Sequence, residues 1–115
     1  MWYSLETIQK SDKNILTARA SVPADSPWFD GHFPGDPTLP GIGQLAMVAD
    51  VLACLFDKKY VVRGVHRVKF RKRISPGDML TITAVPKKNN SYSFRMTTDR
   101  DELVSSGIMT MTQPD

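Results

Sequence analysis

The sequence predicts an α+β domain in which a curved antiparallel sheet wraps around one central, buried helix. Three observations carry that expectation. Only Gly41 to Phe56 follows a helical apolar period, strand-like alternation lies on both sides of it, and clusters of Pro, Gly, Asn and Asp punctuate the alternating segments. A chain of 115 residues, 41% hydrophobic and 23% charged, suits a single domain over 1–115 with a core of its own.

Trp2 to Lys10 and Asn14 to Val22 carry apolar or β-branched residues at short intervals around the polar cluster Ser11-Asp12-Lys13, and so predict a hairpin. From Pro23 to Pro40 the composition changes: five prolines, two glycines and three aspartates in eighteen residues exclude regular helix or central strand. Such a stretch is a long ordered loop, and long loops in small domains tend to carry function. The helix follows, with Ile42, Leu45, Ala46, Ala49, Leu52, Ala53 and Phe56 in helical register and Met47, Val48, Val51 and Leu55 filling most of the rest. An element apolar nearly all round is a buried helix, and Pro40 sits where a proline is tolerated, at its start.

Beyond Asp57-Lys58-Lys59, His66, Val68, Phe70 and Ile74 alternate with Arg67, Lys69, Arg71 and Arg73, which predicts a strand with one core face and one wet face. Ser75-Pro76-Gly77-Asp78 reads as a turn, Met79 to Val85 as a strand and Lys87-Lys88-Asn89-Asn90 as another turn. Ser91 to Thr98 and Glu102 to Thr112, around Asp99-Arg100-Asp101, complete a meander.

Charge and cysteine usage narrow the function classes. Net charge is only +3, but Arg63, Arg67, Lys69, Arg71, Lys72 and Arg73 place six of the 15 cations within eleven residues, a pattern that suits an acidic partner. No zinc-finger spacing, basic-zipper heptad or base-stacking aromatic motif accompanies them, so nucleic acid is not expected. The stretch from Gly41 to Phe56, broken by Gln44 and Asp50, is too short to cross a bilayer, and membrane insertion is not expected. A lone Cys54 and the lack of a charged-then-apolar leader lead to the expectation of a reduced, cytoplasmic setting.

The loop and helix start read Gly31-His32-Phe33-Pro34-Gly35-Asp36-Pro37-Thr38-Leu39-Pro40-Gly41-Ile42. This resembles the His-Phe-Pro-Gly-x-Pro-x-x-Pro-Gly signature of the β-hydroxyacyl-acyl-carrier-protein dehydratases, whose fold is the hotdog. Val68-Lys69-Phe70-Arg71 and Ile74-Ser75-Pro76-Gly77-Asp78-Met79-Leu80 resemble that family's Phe-Arg strand and Pro-Gly-Asp turn. Gln44, within Leu39-Pro40-Gly41-Ile42-Gly43-Gln44-Leu45, is similar to the subgroup associated with aryl-polyene synthesis.

The resemblance implies removal of water from a 3-hydroxyacyl thioester of acyl carrier protein or coenzyme A, in fatty acid or related synthesis, with no cofactor and no metal. It implies His32 as the base, since a neutral imidazole suits proton abstraction near physiological pH. Gly41 would offer its backbone N–H to the thioester carbonyl, at a helix start that favours developing negative charge. Phe33, Pro40, Ile42 and Ala46 fall where the substrate would lie. In the family each site joins the histidine of one subunit to a helix acid of the other, so a homodimer, or a heterodimer with a related subunit, is expected.

One position departs from the family's pattern: fourteen residues after the histidine, where the family has Glu or Asp, stands Ala46. Asp50, one turn on and about 6 Å further along the axis, shares its face. It would act directly, through a bound water, or in a structural role at an edge, a loop or an arginine. Asp30 and Asp36 are turn-forming acids, His66 is expected to pack in the core, and Cys54 to be a small core residue. Arg67, Lys69, Arg71 and Arg73 are either a solvated sheet face or a docking surface for an acidic carrier protein. Two further readings remain: an acyl-thioester-binding subunit without its own donor, and a thioesterase in which Asp50 activates water.

Overall fold

The computed structural model describes residues 3–29, 39–54 and 60–112. Six strands and one helix run in the order β1 (Ser4–Lys10), β2 (Leu16–Ser21), α1 (Gly41–Ala53), β3 (Val61–Phe70), β4 (Met79–Pro86), β5 (Ser91–Thr98) and β6 (Leu103–Thr112). A short 3-10 turn, Pro27–Phe29, interrupts the predicted loop. The strands form one antiparallel sheet, as the alternating pattern predicts, in the order β1-β2-β4-β5-β6-β3. No helix among the described residues is long and apolar enough to cross a membrane.

Side-chain alternation builds the core. Leu16, Ala18 and Ala20 of β2 and Leu80, Ile82 and Ala84 of β4 turn inward, with threonines and Arg19 between them facing out. Met47, Val48, Val51 and Leu52 of α1 close over this face. The turn between β4 and β5 places Asn89 and Asn90 at φ 61° and 60°, the left-handed pair that a tight hairpin needs and that asparagine tolerates. At the turn before β4, Gly77 takes φ 84° and the Asp78 carboxylate accepts the Ser75 N–H at 2.8 Å.

Four expectations need correction. The helix is not buried all round. Gly43, Gln44, Met47, Val48, Val51 and Leu52 are covered, whereas Ile42 is 69% exposed and Asp50 is exposed, because the sheet of one chain lies against only one side of α1. The described helix ends at Ala53, and Cys54 is exposed rather than packed in the core; Leu55 and Phe56 lie outside the described residues. Strict alternation along β3 fails. Register shifts between Val62 and Gly64 and between His66 and Lys69, with Arg67 at φ 54°, mark bulges that re-aim the side chains. His66 is therefore exposed, and Val61, Val62, Val65 and Phe70 present apolar surface to solvent along the edge of the sheet. Finally, Pro40 is the N-cap rather than the first helical residue, with φ −62° and ψ 156°.

Candidate active site

The site grows from the start of α1. The Leu39 N–H donates to the Ile74 carbonyl at 2.9 Å, tying the end of the loop to the segment after β3. Pro40 then turns the chain into the helix, and its carbonyl accepts the first helical bond from the Gln44 N–H at 3.1 Å. No side chain among the described residues caps this end or competes for the first-turn amides that begin at Gly41. The ring of Phe70 covers the Gly41 α-carbon. A β-carbon at position 41 would meet the ring at 2.7 to 3.0 Å, too close for any residue but glycine unless the ring moves. The bulged strand β3 and the helix start are thus fitted to each other, and Phe70 is a site residue that its place in an alternating pattern did not reveal.

Ile42, Ala46 and Asp50 follow one another at four-residue spacing on the open side of α1. The stripe runs from the helix start, past the half-buried Ala46 where the family has its acid, to the exposed carboxylate of Asp50. His32 and Phe33, with Asp30 and Asp36, lie outside the described residues.

Asp50 has a partner that its sequence position did not suggest. The Tyr3 hydroxyl, from a side chain only 4% exposed, donates to Oδ2 of Asp50 at 3.3 Å. Burial, then the negative charge of Asp50 and the hydrogen bond to it, push the Tyr3 phenol well above its ordinary value of 10.0. Burial also raises Tyr92, with Tyr60 adding to the effect. Both shifts favour the neutral phenol in the folded state. The unfolded chain releases those protons at lower pH, so stability is expected to fall as pH rises past about 10. Tyr3→Phe should flatten that fall in urea midpoints taken from about pH 9 to about pH 11. An unchanged slope would mean that Tyr3 ionises as readily folded as unfolded.

The cation cluster resolves into two sets. Lys72 pairs with Glu102 at 3.3 Å, and Arg19, on β2, with Asp99 at 3.2 Å. Arg67, Lys69 and Arg71 instead line a groove of about 580 Å³ together with Arg95 of β5 and the polar Ser93 and Ser106. No carboxylate is among the described residues lining it, and these four cations form no ion pair among the described residues. Arg73 is not in the described lining. Arg95 joins the set because β5 lies between β4 and β6, which no run of basic residues along the chain discloses.

Residues 7–108 match the ApeI-like family, described as ApeI dehydratase. A 3-hydroxyacyl-[acyl-carrier-protein] dehydratase FabZ of Psychrobacter arcticus is 33% identical over 108 residues, covering 82% of this chain and 74% of that protein. One from Syntrophomonas wolfei subsp. wolfei is 41% identical over 70 residues, covering 55% of this chain and 49% of that protein. The matched region thus spans about half the length of some of these curated relatives. Among solved structures, the dehydratase heterocomplex ApeI:P from Xenorhabdus doucetiae superposes with a TM-score of 0.85 at 23% identity, covering 98% of this chain and 100% of that one. The six-stranded antiparallel sheet against a single helix is the hotdog fold, and the family match, extending across the loop, helix and strands described above, makes this chain a member of the ApeI-like dehydratase family.

Proposed function

We propose that the chain acts on 3-hydroxyacyl thioesters, eliminating water to give the trans-2-enoyl thioester. His32 removes a proton from C2, and the electron pair moves toward the carbonyl oxygen, which the Gly41 N–H stabilises as negative charge develops. As the carbonyl re-forms, the C2–C3 double bond closes and the C3–O bond breaks. The departing hydroxide takes a proton to leave as water, and with alanine at position 46 that proton passes from the His32 imidazolium through a water held by Asp50, which returns the imidazole to its neutral form. The observation that supports this reading most is the start of α1, where the amide of a close-packed glycine, uncapped by any side chain among the described residues, opens the helix nine residues after His32 in the sequence. Conversion of 3-hydroxyacyl-carrier protein to the enoyl product tests it. Release of free acid instead would favour thioester hydrolysis.

A second reading is favoured by Ala46 itself. The open stripe on α1 and the apolar edge strand β3, with Phe70 49% exposed, form a surface that a second subunit would cover. If that subunit carries a carboxylate facing His32, this chain supplies the base half of a working site and its own reciprocal site is silent.

The groove of cations, which have no ion-pair partner among the described residues, suits an acidic carrier protein. Reversing Arg71 and Arg95 together to Glu is expected to weaken carrier-protein binding at least about tenfold at low salt, with the difference shrinking as salt screens it. Reversal of Arg73, outside the described groove lining, should do less. Equal affinities at low salt for the wild type and the Arg71/Arg95 reversal would remove the groove from docking.

A further inference from the structure

We infer that Tyr3 is a positioning residue, whose buried phenol fixes the Asp50 carboxylate so that its second oxygen holds the water through which the leaving hydroxide is protonated. The inference rests on the dehydration reading above and on the part that reading gives Asp50. Tyr3, just ahead of β1, belongs to the buried apolar cluster and is 4% exposed, whereas Asp50 is exposed on the open side of α1. The Tyr3 hydroxyl spans that boundary and donates to Oδ2 of Asp50 at 3.3 Å.

Neither residue needs this bond for its own sake. A phenylalanine would fill the same core space with no hydroxyl to desolvate, and an exposed aspartate is solvated by water alone. What the bond adds is order. It ties a short side chain that would otherwise sample several rotamers to a ring locked by packing, through a hydrogen bond strengthened by the carboxylate's charge. Engaging Oδ2 sets the direction in which Oδ1 points. Burial, then the charge of Asp50, push the phenol up, so Tyr3 stays a donor through the neutral range.

The fixed carboxylate lies where the missing acid would act. Helical side chains lean toward the helix N-terminus, so Asp50 covers the turn that carries Ala46, and the small side chain of alanine leaves room there for a water. Nine helical residues set Asp50 about 14 Å along the axis from Gly41 of its own chain. The carboxylate therefore serves a thioester held against the open side of α1 by a second subunit. A water accepted by Oδ1 gives one proton to the hydroxide leaving C3 and takes one from the imidazolium that formed at C2, so the proton count closes and Asp50 stays ionised.

The test measures kcat and KM for enoyl formation from 3-hydroxyacyl-carrier protein, with the melting temperature and oligomeric state of each variant. Alongside, calorimetry reads the affinity for an unreactive probe, the amide analogue of 3-hydroxyoctanoyl-pantetheine. Tyr3→Phe should lower kcat about tenfold and leave KM and probe affinity unchanged. Added to Asp50→Asn it should lower kcat no further, and in the Ala46→Glu background, where the new acid delivers the proton itself, its effect should vanish. A merely structural role would cost the same in all three backgrounds, and that result would overturn the inference. Wild-type kcat in Tyr3→Phe, with Asp50→Asn impaired, overturns it too. Should Tyr3→Phe fail to fold, Asp50→Glu decides: the added methylene cannot keep both the phenol and the water in place, so a comparable loss of kcat supports the inference and full activity overturns it. Wild-type kcat in Asp50→Asn removes Asp50 from the reaction and the inference with it. Failure of the wild type to bind the probe overturns the thioester reading itself.

Discussion

Ala46→Glu is expected to raise the rate of enoyl-thioester formation by about a hundredfold or more, the usual contribution of a well-placed general acid. Position 46 lies on the open side of α1 between Ile42 and Asp50, half-buried rather than sealed in the core. A glutamate there reaches outward from the helix toward whatever covers this face, so its desolvation cost is smaller than in the middle of the core. The measurement is enoyl product formed from 3-hydroxyacyl-carrier protein by wild type and variant, each first shown to be folded and of the same oligomeric state. A folded variant that forms product no faster than wild type would show that the missing carboxylate is not what limits this chain.

The second large effect is expected at His32. His32→Ala should lower product formation by about a hundredfold to ten-thousandfold, in the wild type and again in the Ala46→Glu background. The two backgrounds matter because a chain that supplies only half a site turns over slowly on its own, and a loss is easier to read where a donor has been restored. The melting temperature should change little. Activity untouched by the substitution in both backgrounds would take the histidine out of the chemistry.

Much of this arrangement is legible in the sequence because it depends on local chemistry. Period-two alternation marks β2 and β4, and paired asparagines mark the turn that joins β4 to β5. Other features depend on relations between distant residues. An apolar helix suggests burial on all sides, yet one chain's sheet covers only the side bearing Gln44, Met47, Val48 and Val51. The bulge at Arg67 follows from the pairing of β3 with β6, so counting alternate residues puts His66 on the wrong face. Tyr3 meets Asp50 across 47 positions, and Arg95 joins Arg67, Lys69 and Arg71 only because β5 and β6 are neighbours. Phe70 is recognisable as apolar, but not as the ring that packs on Gly41.

These features bear on function in a consistent way. The elements that the sequence makes plain build the scaffold, while those that it hides adjust the site: Phe70 against the helix start, Tyr3 holding Asp50, and Arg95 completing the cationic groove. In the proposed function, a second subunit would complete the site at the open side of α1 and the edge of β3, and with Ala46 in place of an acid the identity of that subunit would decide turnover.

The central claim is that the His32 imidazole and the Gly41 amide act on one thioester. A crystal structure of the protein with the 3-hydroxyoctanoyl-pantetheine amide bound tests it most directly. The account predicts the probe's thioester-mimicking carbonyl oxygen about 3 Å from the Gly41 nitrogen, with an imidazole nitrogen of His32 facing C2 of the same molecule. A bound probe whose carbonyl lies away from Gly41, or a His32 ring that opens onto a different cavity, would contradict it.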